Sequence, residues 1–95
     1  MKIRDLSFGC ANVEVEGEIT KKEEPKEITL RDGSKAVVAD AELKDESGSI
    51  TLSLWNEQIG MVNAGDKVKV VNGYVGIFKN RIRLSLGKRG KITKL

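Results

Sequence analysis

Apolar and polar residues alternate at a period of two along most of this chain, and that pattern limits its folds more than any other feature. In "NVEVEGEIT", Val13, Val15 and Ile19 fall on one side and Glu14, Glu16 and Glu18 on the other. "KAVVADAELK" sets Val37, Ala39, Ala41 and Leu43 inward, and "ITLSLW" sets Ile50, Leu52 and Leu54 inward with Thr51, Ser53 and Trp55 outward. "RIRLSL" repeats the pattern, with Ile82, Leu84 and Leu86 in and Arg81, Arg83 and Ser85 out. A strand keeps every second side chain on one face, so these segments read as strands with one buried face.

One segment breaks its own parity. In "KVKVVNGYVGIF", Val68 and Val70 are inward at even positions, whereas Val75 and Ile77 form the apolar pair at odd positions. Asn72-Gly73 is a strong signal for a two-residue hairpin. A hairpin there would leave flanks too short to close a small barrel, and Lys79-Asn80 offers a turn between longer strands. The reading that keeps both apolar pairs inward is a single strand with one extra residue, a β-bulge, for which Gly73 is suited. Tyr74 and Phe78 then project from the outer face.

The remaining segments are connections. "PKEITLRDGSK" holds the only proline and an Asp32-Gly33 turn signal, and reads as a long extended loop or a hairpin of its own. "DESGS" is a turn, with Asp45 and Glu46 as solvated turn carboxylates and not an acid/base pair. "NEQIGMVNAGD" is the one helical piece, with Asn56 as its N-cap and Gly60 weakening its middle. "KITKL" adds a short final strand. Five strands with a short helix between the third and fourth give an all-β, five-stranded Greek-key barrel, the OB-fold pattern, over residues 1–95 as one domain.

The residue inventory argues against an enzyme. There is one cysteine and no histidine among 95 residues, so neither an internal disulfide nor a zinc site is expected, and the usual general base near neutral pH is missing. No cofactor is implied. Cys10 reads as a small buried hydrophobe and Phe8 as core. No apolar run reaches bilayer length and no signal-peptide block precedes the charges, so a cytoplasmic monomer without membrane contact is expected.

Charge is divided along the chain. Residues 1–50 carry eight Lys/Arg and twelve Asp/Glu, whereas residues 51–95 carry nine Lys/Arg and only Glu57 and Asp66 as acids. From Lys79 onward there are seven basic residues and no acid, a bias that points to a polyanionic partner. Trp55 closes the third strand at an outward position. In the barrel, strands 2 and 3 form the binding face, walled by the loops between strands 1 and 2 and between strands 4 and 5. Trp55, Tyr74 and Phe78 therefore converge on the rim of one groove. Flat rings beside cations suit a single nucleic-acid strand, whose bases stack and whose phosphates pair with Lys and Arg. Candidate phosphate contacts are Lys79, Arg81, Arg83, Lys88 and Arg89, with Lys35 on the opposite wall. Lys21 and Lys22 belong to that wall too, offset by Glu23, Glu24 and Glu27. Asp40 and Glu42 sit awkwardly: they alternate outward on the second strand, where they would repel phosphate. Two placements relieve this, either at the groove's edge or beside a footprint that favours strands 3 to 5.

"DESGSITLSLW" followed by "AGDKVKVVNGYVGIFKNRIRLSLG" resembles the OB-fold domain of archaeal single-stranded DNA-binding proteins and of archaeal replication protein A. Human single-stranded DNA-binding proteins of the same simple type look similar. The resemblance covers nearly the whole chain. Its most specific part is the acidic-Ser-Gly turn, the alternating strand ending in Trp, the short linker, "GD", and a strand carrying an aromatic and then Phe-Lys. It implies that Trp55, Tyr74 and Phe78 are base-stacking platforms in a protein of replication, recombination or repair with little sequence preference. Proteins of this simple type usually carry a flexible C-terminal tail, and replication protein A often has several OB domains and sometimes a zinc ribbon. Here the expectation is one excised domain or a minimal subunit. Two other readings stand beside it. One is single-stranded RNA binding, since the same platforms accept RNA bases. The other is an OB subunit packed against replication protein A subunits or repair proteins, with Trp55 and Tyr74 as interface anchors.

Overall fold

The alternating segments form six strands in a computed structural model, which describes residues 2–78 and 80–95 apart from the side chains of 78 and 87–89. These are β1 (Val13–Lys22), β2 (Lys26–Thr29), β3 (Lys35–Asp45), β4 (Gly48–Trp55), β5 (Lys67–Phe78) and β6 (Arg81–Lys94). The pairing order is β1-β5-β6-β4-β3-β2, and β1 also pairs with β3, so five strands return to their start. Every pairing is antiparallel except β4 with β6, which is parallel. This is the expected five-stranded barrel, in which closure removes open sheet edges. β2 lies outside the cycle. It extends β3 in a hairpin around Asp32-Gly33, where Asp32 Oδ1 accepts the Ser34 N–H at 2.9 Å and its hydroxyl at 2.6 Å. The segment after the proline is thus a hairpin arm. "KITKL" forms no separate strand, because residues 91–94 complete β6.

The inward positions make one aliphatic core. Val13, Val15, Ile19, Ala41, Leu43, Ile50, Leu52, Leu54, Val68, Val70, Val75, Leu84 and Leu86 are all buried. Each full burial of a Val, Leu or Ile stabilises the fold by about 1.5–3 kcal/mol. Ile77 departs from its expected inward place and is 57% exposed, while Ile82 is half-buried. The two face each other two residues beyond the Val75–Leu84 pair. β4 meets β6 only from Arg83 to Ser85, so toward the β5–β6 turn the hairpin runs past the barrel wall.

The parity switch in β5 is a bulge. Val13 faces Gly73 and Val15 faces Val70, so Val71 and Asn72 stand opposite the single residue Glu14. The left-handed residue is Asn72, at φ 56°, where asparagine is tolerated, and not Gly73 as expected. Gly73 serves another purpose. A Cβ there would meet Leu84 Cδ1 at 3.0 Å and the Ser85 carbonyl oxygen at 3.3 Å, so glycine lets β5 lie close to β6. Beyond the bulge Val75 is buried and Tyr74 is 47% exposed.

The linker after β4 is a 3-10 helix, Asn56–Met61. Asn56 is not its N-cap. That position is Trp55, and Asn56 itself turns the chain at φ 51°. Its Oδ1 accepts the Val37 N–H at 3.0 Å, which ties the end of β4 to β3. Lys22 Nζ donates to the carbonyls of Ile59 and Val62 at 2.8 and 3.0 Å, a cation placed on the carbonyls that a helix end leaves unpaired.

Asp45 anchors the β3–β4 turn and the N-terminus together. Its Oδ1 accepts from the Ser47 N–H, the Ser47 hydroxyl and the Gly48 N–H, and its Oδ2 accepts the Ile3 N–H at 2.9 Å. Desolvation pushes the carboxyl up, but the Ser47 hydroxyl and the three N–H groups outweigh it and hold the pKa at about 2, against an ordinary value of 3.8. A depressed folded-state pKa means the contribution is complete above about pH 4 and is lost as pH falls toward 2. Asp45→Asn is therefore expected to melt below wild type at neutral pH, with the gap closing between pH 4 and 2 in thermal unfolding. A gap unchanged at pH 2 would remove the carboxylate from this role.

Candidate functional site

The ladders across β3, β4, β6 and β5 place outward residues in rungs. One runs Asp40–Ser53–Ser85–Tyr74 and the next runs Glu42–Thr51–Arg83–Gly76. Trp55 lies on β4 two residues beyond Ser53, paired with Val38. Trp55, Tyr74 and Arg83 thus share the outer face of one wall of the barrel. With about 4.8 Å between strands and about 3.3 Å per residue, Trp55 and Tyr74 start roughly 12 Å apart, diagonally across Ser53 and Ser85. Both serines are buried, at 1% and 7%, so the floor between the rings is low.

The backbone under Trp55 is held on both sides. Its N–H donates to Gln58 Oε1 at 3.0 Å, and Asn56 fixes the next residue to β3. Its side chain is half-buried at the strand end. Tyr74 owes its outward direction to the bulge.

Arg83 reaches back across the floor. Nη1 donates to Ser53 Oγ at 3.0 Å and Nη2 to Asp40 Oδ2 at 3.3 Å, with the Arg83 and Asp40 side chains 25% and 32% exposed. This explains two departures from the alternation pattern. Ser53 faces outward yet is buried, because the guanidinium covers it. Asp40 is on this outer wall without being a bare acid, because it is engaged by Arg83. Glu42 accepts the Thr20 hydroxyl at 2.7 Å.

A cleft of about 430 Å³ opens beside these rungs, with Lys21 and Lys26 on one side and Arg81 and Arg83 on the other. Glu23, Asp40 and Glu42 also line it, so four cations face three acids. The cleft is therefore not a simple positive trough. A slightly larger cavity of about 500 Å³ lies elsewhere, among Glu16, Glu18, Lys44 and Lys67, and among the described residues neither cavity is lined by an aromatic. Trp55 and Tyr74 stand outside the first cleft but on the same outer wall as Arg83, which lines it, and that wall is the candidate site.

The other expected residues divide. Arg81 is exposed at the cleft. Lys35 is exposed on the β2–β3 arm and pairs with Glu27 at 3.4 Å, a surface contact worth about 0–1 kcal/mol. Lys22 is not on the wall, being committed to the 3-10 helix. Lys79 and the side chains of Phe78, Lys88 and Arg89 lie outside the described residues. Phe8, expected in the core, is 66% exposed, and Cys10 is half-buried against the core's edge. The serine floor and the contact between Asp40 and Arg83 are what the sequence does not reveal: alternation places all four side chains outward but does not pair them. Among the described residues no group of three His, Cys, Asp or Glu is placed to hold a metal.

A family model described as single-stranded DNA binding protein Ssb-like, OB fold, matches residues 6–94. The chain is 27% identical to the single-stranded DNA binding protein Ssb of Saccharolobus solfataricus over 98% of its own length and 62% of the relative's. It is 33% identical to the replication factor A of Methanothermobacter thermautotrophicus over 96% of its own length and 12% of the relative's. It thus spans under two thirds of both proteins. Among solved structures, an OB domain from Thermoplasma acidophilum superposes with a TM-score of 0.84 at 28% identity, covering 100% of this chain and 85% of that one. The second OB-fold domain of replication protein A from Methanococcus maripaludis superposes with a TM-score of 0.83 at 29% identity, covering 100% and 93%.

Proposed function

Because the chain belongs to the Ssb-like OB-fold family of single-stranded DNA-binding proteins, we propose that it binds single-stranded DNA, without catalysis, across the outer wall of β3, β4, β6 and β5. Bases stack on Trp55, Tyr74 and Phe78. Phosphates pair with Arg81 and Arg83, and with Lys79, Lys88, Arg89 and Lys35. The observation that carries this reading is the placing of Trp55, Tyr74 and Arg83 on one face, with two buried serines between the rings.

The division of labour follows from the near balance of charge in the cleft. Stacking contributes roughly 1–3 kcal/mol per base and ignores base identity, since every base has a π-face. Sequence preference is accordingly low. Each phosphate neutralised on a single strand adds about −0.7 to the slope of log affinity against log salt. Arg83 enters that count only by exchanging Asp40 for a phosphate oxygen, so Asp40 tempers the affinity of the free site. Replication is the setting that the relatives' names suggest; recombination or repair would use the same single-strand binding, with other replication protein A subunits as assembly partners. No helix among the described residues is long and apolar enough to cross a membrane.

The single tryptophan gives a direct readout. Oligo-dT is expected to quench its fluorescence, and Trp55→Ala to weaken binding by about 1–3 kcal/mol. An unchanged signal at low salt would sink the stacking role of Trp55. Asp40→Asn is expected to tighten binding and to leave the salt slope no shallower than wild type, whereas Arg83→Ala flattens it by about 0.7. If Asp40→Asn weakens binding instead, Asp40 orients Arg83 for the ligand and does not compete with it.

A further inference from the structure

Phe8 has no part in the core or in the site described so far. It is 66% exposed, although its own segment buries Ile3 at 4% and Leu6 at 6%. The segment is therefore held by other side chains, and Phe8 keeps most of a large apolar ring in water. Two backbone bonds clip its turn to β5. The Gly9 N–H donates to the Val75 carbonyl at 3.1 Å, and the Val75 N–H donates to the Cys10 carbonyl at 2.8 Å. Val13 faces Gly73, so the chain preceding β1 continues along the same edge of β5 in the antiparallel sense. The Ser7–Cys10 turn that carries Phe8 is therefore held at Val75, next to Gly76 on the strand.

The surroundings favour a flat ligand. Gly76 is the outward residue of β5 at this level, and a Cβ built on it meets nothing within 4 Å. Tyr74 precedes it by two residues on the same face, and Arg83 is its partner on β6. Ile77, 57% exposed, lies next to it. A bare backbone patch is thus bordered by a ring, a guanidinium and the turn that carries a second ring. It is continuous with the wall on which Trp55 and Tyr74 stand.

We propose that Phe8 is a further base-stacking platform, which carries the single strand past Tyr74 and across Gly76. This rests on the reading of the wall as a single-strand site. An aromatic amino acid held by a short, hydrogen-bonded turn loses little conformational entropy on stacking, and a base needs only its face.

The test uses the full chain and labelled oligo-dT of about 4 to 16 nucleotides, the range of lengths that OB folds cover. For long oligonucleotides Phe8→Ala is expected to lose about 5- to 150-fold in affinity, the equivalent of one stacked base. For the shortest ones it matches wild type, so affinity stops rising at a shorter length. Phe8→Leu loses as much as Phe8→Ala, whereas Phe8→Trp retains binding. The melting temperature stays at the wild-type value in all three, since the ring is exposed. Wild-type binding with Phe8→Ala equal to it at every length overturns the platform alone. Phe8→Leu equal to wild type overturns stacking as its mode. Wild-type protein that binds no oligonucleotide overturns both this inference and the reading beneath it.

Discussion

The extra residue at Asn72 is the constraint on which the rest depends. A strand shows alternate residues to opposite faces, so a one-residue change of register turns every later side chain over. Without the bulge, β5 could bury Val68 and Val70 or Val75, but not all three. With it, all three are buried and Tyr74 stands outside. The cost is local: a left-handed asparagine at φ 56° and a position held to glycine, where a Cβ would come within 3.0 Å of Leu84 Cδ1. Against that stands the burial of several valines and leucines, at about 1.5–3 kcal/mol each. The same residue that completes the core therefore aims the ring.

The core itself is aliphatic. None of the aromatics whose side chains are described is buried: Phe8 and Tyr74 are exposed and Trp55 is half-buried. Leu, Ile, Val and Ala close the barrel, which leaves the rings for the surface. Electrostatics follow a similar rule. The acids of β1 face solvent, where Glu14 meets Lys69 at 3.6 Å, while Asp40 on the proposed binding wall is held by Arg83. The acid on that wall is therefore paired with a cation and does not stand bare.

What could be read in advance follows from the range of the interactions. Alternation is local, so the barrel strands, the bulge and the outward direction of Tyr74 were legible. Asp45 was legible as a turn residue because its partners Ser47 and Gly48 are near neighbours. The Arg83–Asp40 contact joins residues 43 apart and appears only when β3, β4 and β6 lie side by side. Lys22 likewise meets the 3-10 helix across 37 residues or more. Phe8 and Ile77 depart from the expected inward places for a related reason: hydrophobicity states what a side chain prefers, not where the barrel wall ends. Asn56 was misread because its carboxamide bonds to Val37 on a neighbouring strand instead of to its own helix.

One wall of the barrel, and not its acidic side, is proposed to take the single strand, and amide chemical-shift mapping during titration with oligo-dT separates the two. The largest changes are expected at Ser53, Ser85, Tyr74 and the Trp55 indole, with Glu14, Glu16 and Glu18 unmoved. Changes concentrated on Glu16, Glu18, Lys44 and Lys67, with Ser53 and Ser85 still, would contradict it.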